Sequence, residues 1–127
     1  MLAGCERRLD LLVTNHTDGP ILASVGGSVA TIDRDQAATL HYPSPEGDHG
    51  ILQIKLNNCT LQYVMPSNLD NYPWPDQIKG DPLPVQLEND LKLYATPPDA
   101  RTSLSQAAAA ALQRAPFPLA PAQRKCA

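Results

Sequence analysis

The stretch "ILQIKLNNCTLQYVM", residues 51–65, decides the fold class. Apolar residues recur at every second position on both sides of the Asn57-Asn58 pair, which is the period of a β-strand with one buried face. Asparagine tolerates the left-handed backbone that a tight hairpin turn requires. The stretch therefore predicts two antiparallel strands joined by a two-residue turn. Their predicted inward side chains are Leu52, Ile54, Leu56, Cys59, Leu61, Tyr63 and Met65.

Six further stretches between residues 8 and 97 show the pattern of short strands. They are "LDLLVTN" (9–15), "ILASV" (21–25), "SVATID" (28–33), "AATLHY" (37–42), "LPVQL" (83–87) and "LKLYA" (91–95). In residues 28–33 the period leaves open whether Val29 with Thr31 or Ala30 with Ile32 faces inward. Eight short strands with turn signals and no helix between them predict an all-β, antiparallel β-sandwich. Its layout is expected to be immunoglobulin-like or transthyretin-like, with a small barrel as the alternative.

Charge divides the chain into a body and a tail. Residues 1–97 hold 6 Lys/Arg and 12 Asp/Glu, whereas residues 98–127 hold 4 Lys/Arg and 1 Asp. Because phosphate binding needs a positive surface, the acidic body argues against a nucleic-acid partner. We expect an N-terminal anchor segment over residues 1–7, the sandwich over residues 8–97, and an Ala/Pro-rich basic tail over residues 98–127.

The tail is predicted to contain one short helix. "SLSQAAAAALQR", residues 103–114, has Ser103 or Ser105 as an N-cap and alanines that propagate the helix. Its apolar residues are Leu104, Ala108, Ala111 and Leu112, and they could dock on a partner. The following "APFPLAPAQRKCA" is typical of a flexible, polyproline-prone segment. We therefore expect residues 98–127 to add little to the sandwich core.

Leu2-Ala3-Gly4-Cys5 resembles the lipobox of bacterial lipoproteins at all four positions. This resemblance implies that a signal peptidase cuts before Cys5, that Cys5 carries acyl chains such as palmitate, and that an apolar leader precedes the motif. Residue 6 is Glu, not the Asp that resembles an inner-membrane retention signal. The resemblance therefore implies an outer-membrane anchor on the periplasmic face, with Cys5 as the sole membrane attachment.

The chain has three cysteines, and acylation of Cys5 would leave Cys59 and Cys126. In an oxidising periplasm two remaining thiols tend to join, so these two are a possible disulfide. Such a bond would pin the tail to the body. The alternative is that Cys59 is a small buried hydrophobic residue of its strand.

The connection between strands over residues 66–82 is the best candidate for a partner-binding surface. Its segment "NLDNYPWPDQ" holds the chain's one Trp, Trp74, between two prolines and close to Tyr72. Aromatic side chains supply rigid contact area at interfaces, and prolines reduce the entropy lost on binding. The alternative is a lid, in which Trp74 covers one open end of the sandwich.

No constellation of residues indicates catalysis, a metal or a cofactor. No Gly-rich phosphate loop and no C-x-x-C motif occur. A blue-copper pattern would need a His between Cys59 and Met65, and none is present. His41, Asp48 and His49 could share a metal ion at a loop. This is the weaker hypothesis, because single histidines in polar loops are more often solvated. We therefore predict that the protein is not an enzyme and uses no cofactor.

The sequence favours an envelope lipoprotein that acts as a protein–protein interaction or assembly module, in a secretion or envelope complex. Its partners would be other envelope proteins. Three alternatives remain: a secreted or periplasmic sandwich that binds a small ligand or metal, a secreted glycoprotein domain, and a secreted enzyme. The glycoprotein alternative depends on two N-x-T sequons, Asn15-His16-Thr17 and Asn58-Cys59-Thr60.

Overall fold

The computed structural model describes residues 9–42, 51–65, 83–96, 105–113 and 117–127. These residues form nine β-strands and one short helix. The first six strands are Leu9–Asn15 (β1), Ile21–Val25 (β2), Ser28–Ile32 (β3), Ala37–Tyr42 (β4), Ile51–Leu56 (β5) and Cys59–Val64 (β6). The remaining elements are Leu83–Leu87 (β7), Leu93–Ala95 (β8), the helix Gln106–Ala111 (α1) and Gln123–Cys126 (β9). All eight predicted strands are present.

The strands form two sheets that enclose one core. The four-stranded sheet has the order β4-β1-β7-β8, and the five-stranded sheet has the order β3-β2-β5-β6-β9. The β2–β3, β5–β6 and β7–β8 pairs are hairpins within one sheet. Every other connection carries the chain from one sheet to the other, which confirms the predicted all-β sandwich.

One strand pair departs from the predicted antiparallel pattern. β1 and β7 run parallel, with Leu12 opposite Pro84 and Val13 opposite Val85. The other strand pairs within the described ranges are antiparallel. The departure has a physical reason, because β7 enters its sheet from the opposite sheet through residues 66–82. No hairpin turn fixes its direction, and a connection of that length allows parallel entry.

The core lies between the sheets and follows the predicted alternation. In β3 the inward residues are Ala30 and Ile32, whereas Val29 is 61% exposed, so the structure settles the alternative that the sequence left open. The predicted inward residues Ala38, Leu56 and Leu91 are half-buried against the core. The fully buried core residues include Leu11, Val13, Ile21, Ala23, Val25, Leu40, Leu52, Ile54, Leu61, Tyr63, Met65, Val85, Leu87, Leu93 and Ala95.

Two hairpin turns use the residues that the sequence suggested. Gly26 between β2 and β3 has φ 57°, and Asn57 between β5 and β6 has φ 51°. Both values lie in the left-handed region, which glycine and asparagine enter more readily than other residues. The Asn57-Asn58 turn sets the register that places Leu52 opposite Tyr63, with both side chains in the core.

The C-terminal segment differs most from its prediction. Gln123–Cys126 forms β9, which pairs with β6 along the edge of the five-stranded sheet. Phe117 is 4% exposed and belongs to the core. The expectation of a polyproline-prone segment is therefore wrong for residues 123–126, and the expectation of little core contribution is wrong for Phe117. Pairing with a distant strand overrides the local Ala/Pro composition.

Residues between α1 and β9 cover the outer edge of β8. Leu119 and Leu93 exchange two backbone hydrogen bonds, of 2.8 and 2.9 Å. The Gln113 side chain imitates a neighbouring strand at Ala95, because its Oε1 accepts from the Ala95 N–H at 2.8 Å and its Nε2 donates to the Ala95 carbonyl at 2.7 Å. These contacts protect the edge from pairing with another chain.

Helix α1 is shorter than predicted and packs through a different residue. Ser105 is its N-cap and accepts a hydrogen bond from the Ala108 N–H at 3.2 Å. Ala109 is buried, while Ala108 and Ala111 are exposed and Leu112 is 40% exposed.

The described residues contain no helix that is long and apolar enough to cross a membrane.

Phe117→Ala should lower the free energy of unfolding by about 3–5 kcal/mol, because it leaves a cavity in the core. The matched control is Leu112→Ala in the same C-terminal segment, which should cost less than about 1 kcal/mol because Leu112 is 40% exposed and lies outside the core cluster. Urea denaturation of both variants measures the difference. Equal and small effects would show that the C-terminal segment does not contribute to the core.

Candidate functional site

The structure brings together one of the predicted pairs. Cys59 of β6 and Cys126 of β9 form a disulfide, which confirms the predicted bond. The predicted lipidation site Cys5 and the predicted partner-binding residues Tyr72 and Trp74 lie outside the described residues, so those predictions stay predictions.

The disulfide joins residues that face each other directly across the two strands. Their Cα atoms are 4.0 Å apart, and the bond closes a separation of 67 residues. The Ala127 N–H donates to the Asn58 carbonyl at 2.8 Å, so the cysteines occupy the adjacent non-hydrogen-bonded position, where paired side chains lie closest. Because both sulfurs are consumed, Cys59 is not a thiolate ligand for a blue-copper site in this state.

Asn15, at the end of β1, is fully buried and uses its whole hydrogen-bonding capacity. Its Nδ2 donates to the carbonyls of Gly19 and Ile32, at 2.8 and 2.9 Å. Its Oδ1 accepts from the backbone N–H and the hydroxyl of Thr17, at 2.9 and 2.6 Å. The side chain therefore fixes the β1–β2 loop to β3, and the burial counts against a glycan on this sequon in the folded state.

A second buried polar group joins the ends of β1 and β7. Glu88 is 5% exposed, and its Oε2 lies 2.6 Å from His16 Nδ1 and 2.6 Å from Gln86 Nε2. The His16 N–H also donates to the Leu87 carbonyl at 2.9 Å. A His–carboxylate pair is a common element of acid–base sites. In the described part of the chain Glu88 is the one hydrogen-bond partner of the His16 side chain, and the pair links the end of β1 to the residue that follows β7.

Two tyrosines support the turn between β7 and β8. The Tyr63 hydroxyl donates to the Leu91 carbonyl at 2.8 Å, and the Tyr94 hydroxyl donates to Asp90. Burial, reinforced by the Asp90 charge, raises the pKa of Tyr63 well above its usual range. Desolvation and the Asp90 hydrogen bond raise the pKa of Tyr94. Both phenols therefore stay protonated donors. Leu91, whose φ is 65°, is bonded through its carbonyl to Tyr63 and through its N–H to the Glu88 carbonyl.

A pocket of about 230 Å³ opens at the end of the sandwich where four segments meet. The segments are the β1–β2 loop, the β5–β6 turn, the β7–β8 turn and β9. The lining residues are Thr17, Asp18, Gly19, Pro20, Leu56, Asn57, Cys59, Asn89, Leu91 and Arg124. The pocket combines one guanidinium, one carboxylate and two amides with an apolar wall, and it is the candidate functional site of the described residues.

The weaker metal hypothesis at His41, Asp48 and His49 has one member in the described ranges. His41 Nδ1 lies 3.1 Å from Asp10 Oδ1 on an exposed part of the β1–β4 pair. Asp48 and His49 lie outside the described residues. Within those residues no group of three or more His, Cys, Asp or Glu side chains is arranged to hold a metal ion.

Sequence reasoning missed Arg124 and Asn89 as site residues. They come from β9 and from the β7–β8 turn, which meet only in the folded chain. One sequence signal could have indicated Arg124, because Arg124 and Cys126 are two positions apart. If Cys126 bonds to Cys59 from a paired strand, Arg124 must project from the same side of that strand.

Comparison with known proteins gives no relative. The chain matches no protein family, no curated protein and no solved structure.

Asn15→Ala should destabilise the fold by about 2–3 kcal/mol, because it leaves buried carbonyl and N–H groups without partners. Asn58→Ala is the matched control, since Asn58 belongs to the other sequon and is exposed. It should change the free energy of unfolding by less than about 0.5 kcal/mol. Urea denaturation checks both variants, and equal effects would contradict the role given to the Asn15 amide.

Loss of the disulfide should release β9 and leave most of the sandwich folded. In the chain-entropy account, a crosslink that closes a loop of this length contributes about 4 kcal/mol. Cys59→Ser with Cys126→Ser should therefore lower the midpoint of urea unfolding. Hydrogen exchange should speed up at the Lys125 and Ala127 amides more than at Leu52 and Ile54. Unchanged exchange at the β9 amides would show that β9 holds without the bond.

Proposed function

We propose that the protein is a lipid-anchored module of the bacterial envelope that binds other envelope proteins and catalyses no reaction. Cys5 would carry the acyl chains, and the anchor would place the sandwich at the periplasmic face of the outer membrane. The observation that carries the proposal is the disulfide between Cys59 and Cys126.

The disulfide supports the proposal through the compartment in which such bonds persist. Disulfides are stable in the periplasm and outside the cell, and they are rare in reducing cytosol. With Cys59 and Cys126 joined, Cys5 is the one cysteine left, and it is the residue that the lipobox-like Leu2-Ala3-Gly4-Cys5 would mark for acylation. Two independent features therefore favour export.

The buried polar groups support binding over catalysis. Asn15 spends all four hydrogen bonds on backbone and Thr17, and Glu88 is engaged by His16 and Gln86. These contacts fix loops and strand ends. Satisfied polar networks of this kind rigidify a fold, as a binding scaffold requires.

The outer face of the five-stranded sheet supports a protein partner. Val29, Ile51 and Val64 are 61%, 45% and 43% exposed, and Ile51 and Val64 are direct register partners. The outward positions of its strands hold no Asp or Glu, although the chain carries a net charge of −3. These outward residues are Leu22, Ser24, Val29, Thr31, Ile51, Gln53, Lys55, Thr60, Gln62, Val64, Gln123 and Lys125. Tyr72 and Trp74 are proposed as further contact residues from their composition alone.

The test of anchoring is metabolic labelling with radioactive palmitate. The protein is expressed in its own host from its native locus, so that the coding region is intact. The wild type should incorporate label and fractionate with outer membranes, and Cys5→Ser should lose both properties.

The double variant Cys59→Ser with Cys126→Ser is the control for this experiment. It removes two cysteines but keeps the acylation site, so it should retain the label. Absence of label on the wild type, or label that persists on Cys5→Ser, would overturn the proposed anchor.

A further inference from the structure

Arg124 is the cation of the end pocket, and its charge is not neutralised within the described residues. It lies opposite Leu61, so it projects from the core-facing side of the β6–β9 pair, toward the pocket. No described carboxylate oxygen lies within 4.0 Å of its guanidinium. An arginine that lines a pocket and lacks an acidic partner is available to an anionic ligand, because its planar fork matches a carboxylate.

The other polar groups of the pocket limit the charge of that ligand. Asp18 is the one acid in the lining, and its Oδ1 accepts a long hydrogen bond of 3.4 Å from Asn89 Nδ2. A doubly charged phosphate would be repelled by the Asp18 carboxylate, and Arg124 would be the one positive group in the lining to offset that repulsion. A singly charged group is the better match, and Asn57 adds a second amide donor.

The apolar wall and the volume limit the size of the ligand. Leu56 and Leu91 line the pocket and pack against the core, and both are half-buried. A volume of about 230 Å³ is below the range that drug-sized ligands occupy. The pocket therefore suits a small apolar group that carries one charge.

Two walls of the pocket are held in place before any ligand arrives. Asn15 fixes Thr17 and Gly19 of the β1–β2 loop through three hydrogen bonds. The Tyr63 hydroxyl fixes the Leu91 carbonyl on the opposite side. Preorganised walls reduce the entropy lost on binding, so a small ligand can bind measurably.

We propose that this pocket binds a carboxylate borne on a small apolar group, with the carboxylate on Arg124 and the apolar group on Leu56 and Leu91. The carboxylate could belong to a free organic acid or to the apolar C-terminal residue of a partner polypeptide. A partner polypeptide as the source rests on the proposed protein-binding function and names the part of the partner that is bound. A free organic acid as the source is independent of that function.

The test is an NMR titration of the whole chain with matched probes. N-acetyl-leucine carries the carboxylate and N-acetyl-leucinamide lacks it. The reporters are the side-chain amide signals of Asn57 and Asn89 and the Arg124 Nε–H signal. The acid should shift these signals at millimolar concentration. The amide and inorganic phosphate should bind at least about tenfold more weakly, the loss expected for one charge-assisted interaction.

The matched variants are Arg124→Gln and Lys125→Gln, which remove one positive charge each from adjacent positions of β9. Arg124→Gln should weaken binding of N-acetyl-leucine about tenfold. Lys125 lies opposite Thr60 on the outer face, so Lys125→Gln should leave the affinity unchanged. The proposal is overturned by equal binding of acid and amide, by preference for phosphate, by equal effects of the two variants, or by no shift with the acid.

A second pair of probes separates the two sources of the carboxylate. An acetylated glycine-rich pentapeptide that ends in leucine with a free carboxylate should bind more tightly than N-acetyl-leucine if the natural ligand is a polypeptide. Equal affinities of the pentapeptide and N-acetyl-leucine would indicate that the natural ligand is a free organic acid. The palmitate experiment is independent of this titration, so failure of the anchor and failure of the pocket are distinguishable.

Discussion

The bond between Cys59 and Cys126 is the constraint on which the arrangement of the C-terminal segment depends. All four residues of β9 are exposed, so this strand buries no side chain that would hold it against β6. Backbone hydrogen bonds and one covalent bond hold it in register. Because β9 is fixed at β6, the preceding residues are held beside the other sheet, where Leu119 and Gln113 cover the edge of β8. The β8 edge of the four-stranded sheet is thus covered, while β9 forms the edge of the five-stranded sheet.

The pocket depends on the position of β9, which contributes Arg124 to its lining. Arg124 is exposed but lies on the core-facing side of β9, because it is two positions from Cys126 and opposite Leu61, and it lines the pocket there. The remaining walls come from turns whose conformations are fixed by buried partners, Asn15 on one side and Tyr63 on the other. The strand that carries Cys126 therefore also completes the one pocket with an available guanidinium that we identify among the described residues. The proposed location and the proposed ligand site depend on the same strand.

The sequence predicted the strands in which buried and solvent-exposed side chains alternate. Leu52 and Ile54 alternate with polar residues, and the Asn57-Asn58 turn is a local signal, so no distant partner was needed to recognise β5 and β6. β9 has no such alternation, because none of its residues is buried, and its strand state depends on β6. The parallel β1–β7 pair was missed for a related reason, since strand direction is set by a long connection. The pocket was missed because its lining comes from four separate segments.

The most direct test of this account is the state of the cysteines in the protein taken from its own cells. The cells are lysed in the presence of a thiol-alkylating reagent, and the protein is digested with chymotrypsin without reduction and analysed by mass spectrometry. The account predicts a crosslinked peptide pair that contains Cys59 and Cys126, together with an acylated Cys5. Recovery of Cys59 and Cys126 as separate alkylated peptides would contradict it, because a reduced pair leaves β9 unfixed and removes the argument for an oxidising compartment.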